Sequence, residues 1–194
     1  MIQNKQISTE SSILVDMDGT LYDTQFETKF HEIYPNIKLT QYPYILHIAE
    51  TSMLAACKAR KIIFDPQFFL DETPYQHMHS QIKKFTNEQK DVFICTQPVQ
   101  TYTAPLAEFL KVAQILNSFG YQQSTKIYFG ADKTVFKGKY LIDDHPDFTE
   151  QEARATWKQI MVNQEYNSKK TNSRRIGTES VEADIKQIFM IDNM

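Results

Sequence analysis

The 194-residue sequence predicts an α/β fold: a parallel sheet with helices on both faces and a helical insertion after the first strand. Short apolar segments at 12–17, 91–95 and 140–142 alternate with stretches of helical periodicity, as strands and helices do in such folds. The residues from about 25 to 60 show helical patterns and no strand pattern. Ligands of parallel sheets bind at the carboxyl ends of the strands, so the sequence predicts a functional site at that edge.

The first third of the chain contains one predicted strand followed by helices. The strand covers 12–17 and ends in a loop at 18–20. Helices are expected at about 25–34 and 44–60, and residues 68–80 lead into a further helix. In the second of these helices the apolar residues recur on one face; they are Ile45, Ile48, Ala49, Met53 and Ala56.

Strands and helices alternate again in the remainder of the chain. The expected elements are a strand at 91–95, a helix from Thr103 to Gly120, strands at 126–129, 140–142 and 157–162, a polar loop at 163–177 and a closing helix at 179–190. The start of the first helix is predicted by Thr103 as an N-cap and by Pro105 in the first turn, and its end by Gly120.

The composition is that of a globular protein and excludes several classes of function. Hydrophobic residues make up 41% and charged residues 23% of the chain, and the net charge is −3. This balance argues against binding to a nucleic-acid polymer, which requires a basic surface. Two cysteines, Cys57 and Cys95, predict neither a disulfide framework nor a zinc site.

The location and assembly of the protein are predicted only in outline. Residues 1–6 are polar and lack the apolar stretch of a signal peptide, and no segment is apolar enough for a membrane span. We therefore expect a cytoplasmic enzyme without a membrane partner. The oligomeric state is left open, with a homodimer as one option.

Two carboxylates follow the first predicted strand, in Asp16-Met17-Asp18-Gly19-Thr20. A carboxylate can attack phosphorus directly and form an aspartyl phosphate. Its repulsion from an anionic substrate has to be offset by a cation, normally Mg²⁺, which prefers oxygen ligands. Gly19 allows the backbone to turn sharply beside a ligand. The spacing thus predicts a nucleophile and a metal ligand at one strand end.

Three further polar motifs lie at or near later strand ends. Thr96 follows 92–95 and offers a hydroxyl to a phosphate oxygen, and Lys133 offers an ammonium group that balances phosphate charge. Asp143 and Asp144 follow the strand at 140–142. Adjacent buried acids repel each other, so a metal ion or Lys133 is expected to hold them.

These motifs, in this order, resemble the four signature motifs of the haloacid dehalogenase (HAD) superfamily of phosphotransferases, whose sheet is Rossmann-like. More narrowly, the chain resembles the 5′(3′)-deoxyribonucleotidases over roughly residues 12–165. The residues that carry this narrower likeness are Leu14-Val15-Asp16-Met17-Asp18-Gly19, Phe68-Phe69-Leu70-Asp71 before Pro74, Asp91-Val92-Phe93-Ile94-Cys95-Thr96, Asp132-Lys133-Thr134-Val135, Leu141-Ile142-Asp143-Asp144, and Trp157 with Asn163.

The resemblance implies a role for each motif residue. Asp16 would be the nucleophile, and Asp18 the general acid that protonates the departing oxygen and later activates water. Thr96, Gln97 and Lys133 would bind the phosphate. The Mg²⁺ ligands would be Asp16, the backbone carbonyl of Asp18, and Asp144; Asp143 would hold Lys133 or a metal-bound water.

The resemblance also implies a domain division and a substrate. Residues 1–23 and 76–194 would form the α/β core, and 24–75 a small helical cap that covers the site. Three cap aromatics are candidates for stacking on a base, namely Phe26, Tyr42 and Tyr44. The implied activity is Mg²⁺-dependent hydrolysis of deoxyribonucleoside or ribonucleoside monophosphates in nucleotide metabolism.

Departures from the family pattern keep two alternatives open. Gln97 stands where these nucleotidases have Ser, and Ala131 stands where the animal enzymes have Arg, so one cationic contact is missing or comes from elsewhere. One alternative is a HAD phosphatase for another small phosphate ester, such as a sugar phosphate. The other is a nucleotide-binding regulator that does not hydrolyse its ligand.

Overall fold

The structure is a computed structural model that describes residues 8–39, 44–65, 68, 72–97, 104–171 and 174–192. Its strands, in chain order, are β1 (Ile13–Val15), β2 (Tyr22–Asp23), β3 (Thr73–Pro74), β4 (Val92–Thr96), β5 (Ile127–Phe129), β6 (Tyr140–Asp143), β7 (Lys158–Val162) and β8 (Arg175–Ile176). Its helices are α1 (Phe26–Ile33), α2 (Tyr44–Thr51), α3 (Met53–Phe64), α4 (Gln76–Asn87), α5 (Ala104–Phe119), α6 (Tyr121–Ser124), α7 (Thr149–Glu152) and α8 (Val181–Ile191). Short 3₁₀ helices cover Lys133–Val135 and Glu165–Asn167.

Six of the strands form one parallel sheet in the order β5-β4-β1-β6-β7-β8. The first strand along the chain therefore lies inside the sheet, between β4 and β6. Its residues Ile13, Leu14 and Val15 are all buried, as expected for a strand covered on both faces. The predicted α/β class with a parallel sheet is confirmed.

Alternate residues of the central strands face opposite sides of the sheet and enter different apolar clusters. Ile13 and Val15 belong to a cluster that includes residues of α4, α5 and α8. Leu14 and Phe93 belong to a second cluster on the other face, which Phe148 and Trp157 cover. Packing on both faces therefore holds the sheet, and with it the edge formed by the carboxyl ends of its strands.

Helices α1 to α3 lie between the paired strands β2 and β3 and share a third apolar cluster. These two strands are antiparallel, with Tyr22 opposite Pro74 and Asp23 opposite Thr73. The cluster includes Phe30 and Ile48 from the insertion, together with Ala107 of α5. The chain thus leaves the core through β2 and returns through β3, and α5 contacts the apolar cluster of the helical insertion.

Two sequence predictions need correction in detail. The helix expected at 44–60 is interrupted, because Ser52 accepts a hydrogen bond from the Ala55 amide (3.2 Å) and caps a new helix. The loop expected at 163–177 contains β8, in which Ile176 is fully buried and pairs with Val162. A strand of two residues is too short to show a sequence pattern, so β8 is defined only by its pairing with β7.

In the part of the chain that the structure describes, no helix has the length and apolar character required to cross a membrane.

Candidate active site

The central strands bring the predicted motif residues together at one edge of the sheet. Asp16 directly follows β1, Thr96 is the last residue of β4, and Asp143 is the last residue of β6. Since β1 lies between β4 and β6, these three strand ends are neighbours. The strand-end position of each motif in the sequence corresponds to proximity in space.

Lys133 forms a buried ion-pair network with two of these carboxylates. Its Nζ lies 2.6 Å from Asp16 Oδ1 and 2.5 Å from Asp143 Oδ2, and the three side chains are no more than 12% exposed. Burial alone would lower the pKa of Lys133, but the charges of Asp143 and Asp16 raise it overall. The ammonium group therefore stays charged beside Asp16, where an incoming phosphate would require a cation.

Asp16, Asp143 and Asp144 form an acidic cluster that fits a divalent cation. Each offers an oxygen, and these oxygens lie within 4.8 Å of one another. Burial, and then repulsion from Asp143, raises the pKa of Asp144 to about 7. Burial also raises the pKa of Asp16, against the opposing effect of Lys133. One ammonium group does not neutralise three buried carboxylates, and hard oxygen ligands are those that Mg²⁺ prefers. The residues present thus fit a magnesium ion.

Asp144 is held by donors from two different segments. Its Oδ1 accepts a hydrogen bond from Thr20 Oγ1 (3.0 Å), and its Oδ2 accepts one from the Tyr166 hydroxyl. Gly19 has a φ of 72°, and a Cβ at this position would lie 2.6 Å from Asp144 Oδ2. Glycine is therefore required both by the backbone conformation and by the close approach of the carboxylate.

A cavity of about 800 Å³ opens over this edge of the sheet. All the motif residues predicted for catalysis, phosphate and metal binding line it; they are Asp16, Asp18, Thr96, Gln97, Lys133, Asp143 and Asp144. Thr96 is 1% exposed, and its buried Oγ1 has no hydrogen-bond partner among the described residues. A buried hydroxyl without a partner is costly, so this atom indicates a position where a ligand oxygen would be accommodated.

Of the three aromatic residues predicted to stack on a base, two lie in the part of the chain that the structure describes. Phe26 and Tyr44 both line the cavity and stack on each other, with ring centroids 5.6 Å apart. Phe26 is only 7% exposed and also stacks on Phe30, so most of its ring surface packs within the insertion. Tyr42 lies outside the described residues. Contact of these rings with a base stays a prediction.

The structure adds a buried lysine, Lys111, that sequence reasoning missed. Its side chain is fully buried in α5, and its ammonium group forms an ion pair with Asp18. Burial, and then repulsion from Asp18, raises the pKa of the neighbouring Glu72 to about 8, against the opposing effect of Lys111. The one local signal is that Lys111 interrupts an apolar run, Phe109-Leu110 before it and Val112-Ala113 after it.

The chain is similar in sequence to known 5′(3′)-deoxyribonucleotidases. The chain is 30% identical to the mitochondrial 5′(3′)-deoxyribonucleotidase of Homo sapiens over 158 residues, which cover 77% of this chain and 68% of that protein. It is 29% identical to the corresponding Mus musculus protein, covering 77% and 71%. A putative 5′(3′)-deoxyribonucleotidase of Bordetella bronchiseptica is 27% identical, covering 84% and 89%. No protein-family model matches the sequence.

A solved structure shares the fold. A HAD family hydrolase from Deinococcus radiodurans R1, with bound phosphate and sodium, superposes with a TM-score of 0.57 over 94% of this chain and 97% of that one, at 10% identity. The parallel sheet and its strand order thus give the chain the fold of the haloacid dehalogenase superfamily. Within that superfamily, the chain belongs to the 5′(3′)-deoxyribonucleotidase family.

Proposed function

We propose that the protein is a Mg²⁺-dependent nucleotidase that hydrolyses deoxyribonucleoside or ribonucleoside monophosphates through an aspartyl-phosphate intermediate. The observation that carries this proposal is the buried cluster of Asp16, Lys133, Asp143 and Asp144 beneath an open cavity. A carboxylate beside an ammonium group, with room for a phosphate in front of it, is the arrangement that nucleophilic phosphoryl transfer requires. Membership of the family supports the class of substrate.

The proposed reaction has two steps, each with a defined proton transfer. In the first, a carboxylate oxygen of Asp16 attacks phosphorus, the bond from phosphorus to the nucleoside oxygen breaks, and Asp18 gives that oxygen its proton. In the second, the Asp18 carboxylate takes a proton from water, which attacks phosphorus and releases inorganic phosphate and the free Asp16 carboxylate. Throughout, Lys133 and Thr96 would bind the phosphate oxygens.

Asp16, Asp144 and the backbone carbonyl of Asp18 would hold the magnesium ion. When bound, the ion offsets the negative charges of the carboxylates and the phosphate. The carboxylate of Asp18 is absent from the acidic cluster and pairs with Lys111 instead. This separation fits an Asp18 whose carbonyl faces the metal while its side chain transfers protons. Asp143, bound to Lys133 Nζ and to the His145 amide (2.8 Å), would position the lysine.

The helical insertion at 24–75 would act as the cap that contacts the nucleoside. Phe26, Glu27 and Tyr44 line the cavity from this insertion, and Tyr44 packs edge-on against Tyr166 with ring centroids 5.3 Å apart. Aromatic faces and polar groups from the insertion suit a base and sugar better than a bare phosphate. We expect the enzyme to act in the cytoplasm on small nucleotides.

Substrate class is tested by phosphate release from a panel of deoxyribonucleoside, ribonucleoside and sugar monophosphates, with and without added Mg²⁺. We expect turnover that requires Mg²⁺ and favours the nucleotides, with preference for the deoxy forms. Turnover of sugar phosphates alone would be consistent with the proposed phosphatase reaction and would reject nucleotides as the substrate. Tight nucleotide binding without any phosphate release would instead favour a regulatory protein.

Thr96→Val is expected to separate phosphate binding from folding. The valine replaces a hydroxyl that has no partner among the described residues, so the free energy of unfolding should change by less than about 1 kcal/mol. Loss of one hydrogen bond to a charged phosphate should lower kcat/KM by about 10- to 100-fold. Urea unfolding and steady-state kinetics measure the two effects.

Thr86→Val is the matched control for this substitution. Thr86 lies on the exposed side of α4, and its hydroxyl donates to the Ile82 carbonyl (3.0 Å). Its replacement should leave kcat/KM unchanged. Equal activity of Thr96→Val and the wild type would remove Thr96 from the phosphate site.

A further inference from the structure

One face of helix α5 contacts both the Asp18 loop and the two-stranded ribbon that leads into the helical insertion. Lys111, Gln114 and Ser118 lie three and four residues apart, so they share one side of the helix. Lys111 binds Asp18, and Gln114 Nε2 donates to Glu72 Oε2 (2.9 Å). Ser118 Oγ lies 2.8 Å from the hydroxyl of Tyr22 in β2.

Lys111 is a fully buried lysine whose ammonium group pairs with a residue that lines the cavity. A fully buried ammonium group costs several kcal/mol unless it is paired, and an apolar residue of similar size is usually at least as stable in such a place. Lys111 is 0% exposed and pairs with Asp18, which is itself 35% exposed towards the cavity. Its charge therefore acts on a group that faces the ligand.

Glu72 gives this network a second anchor. It is 8% exposed and directly precedes β3, where the chain returns from the insertion to the core. When Glu72 is ionised, its charge adds to that of Asp18 in raising the pKa of Lys111, against the opposing effect of burial. The ammonium group is therefore flanked by one carboxyl group from the reactive loop and one from the end of the insertion.

We propose that Lys111 is a positioning residue for Asp18, which fixes one carboxyl oxygen so that the other faces the leaving oxygen of the substrate. This inference rests on the proposed function, in which Asp18 is the general acid. With Oδ1 bound to Lys111, the proton that Asp18 gives and later recovers is carried on Oδ2. Glu72 and Gln114 link this geometry to the ribbon of the insertion.

Lys111→Met tests the proposal through the leaving group of the substrate. An alkyl phosphate ester, such as a nucleoside monophosphate, requires protonation of its leaving oxygen, whereas p-nitrophenyl phosphate releases a stable phenolate without it. Because kcat/KM reports the steps up to cleavage of the ester, it isolates the step in which Asp18 acts as an acid. We expect kcat/KM to fall by about 100-fold or more for the nucleotide and by less than about 5-fold for the aryl ester.

A second variant guards against a simple loss of folding. Lys111→Met leaves the carboxyl groups of Asp18 and Glu72 without their shared cation. Combining it with Glu72→Gln removes the second of these carboxyl groups and so reduces the loss of stability. The same selective loss of kcat/KM on the nucleotide is expected in this double variant, with both proteins checked by urea unfolding.

Equal losses of kcat/KM on both esters, or no loss on either, would overturn the positioning role. A wild type inactive on both esters would reject the proposed function itself, and this inference with it.

Discussion

Asp16→Asn is expected to lower phosphate release by about 10⁴-fold or more, because the amide cannot act as the nucleophile. Asn has the same shape as Asp and no charge, and burial already disfavours the charged form of Asp16. The variant should therefore fold and keep its cavity. The measurement is release of inorganic phosphate from a nucleoside monophosphate in the presence of Mg²⁺.

A covalent label distinguishes a nucleophile from a residue that only binds metal. Substrate labelled in the phosphate should leave label on acid-quenched wild-type protein and none on Asp16→Asn. The matched control is Asp91→Asn at the amino end of β4, where Asp91 accepts hydrogen bonds from Ser12 (2.8 Å) and Lys126 (2.8 Å) away from the cavity. Activity of Asp91→Asn should stay within a few-fold of wild type. Label retained by Asp16→Asn would identify another nucleophile.

Lys133→Met is expected to destabilise the protein by about 3–5 kcal/mol, because it leaves buried carboxylates without their cation. Asp16 and Asp143 both lose their ion pair, and Asp144 adds further negative charge nearby. Loss of the phosphate contact should also lower kcat by about 10²-fold or more. Urea unfolding in the absence of divalent cations measures the stability term.

Added Mg²⁺ provides an internal check on this prediction. A cation bound to the acidic cluster should raise the unfolding midpoint of Lys133→Met more than that of the wild type, since the variant has more uncompensated charge. The control is Lys84→Met, whose ion pair with Glu182 (2.5 Å) has side chains that are 46% and 70% exposed, so its loss should have little effect on stability. An equal loss of stability in the two variants would mean that the buried ion pairs of Lys133 do not stabilise the site.

The grouping of the motif residues at one edge of the sheet was predictable because their strand-end positions are encoded locally. Asp16, Thr96 and Asp143 each follow a short apolar strand, and the strand rule alone places them at one edge of a parallel sheet. Gly19 marks a backbone conformation that other residues avoid, so the sharp turn was also visible in the sequence. The order of the motifs and the resemblance to the family predict Lys133, and the structure places it against Asp16.

Other features depend on contacts between segments distant in the chain, which no local pattern encodes. Lys111 lies 93 residues from Asp18, and Tyr166 lies 22 residues from Asp144. A lysine in an amphipathic helix normally faces solvent, so only the packing of α5 against the Asp18 loop shows that Lys111 is buried. Strand β8 and the ribbon of β2 with β3 are two residues long, and pairing alone defines them.

By itself the sequence determined the α/β class, the order of the longer strands along the chain and the set of polar residues at their ends, because each depends on periodicity or on the residue type at a strand end. The tertiary structure alone decided which charges lie together without solvent. That difference is physical: burial raises the pKa of Asp144 to about 7 and of Glu72 to about 8, and burial is a property of the packed chain.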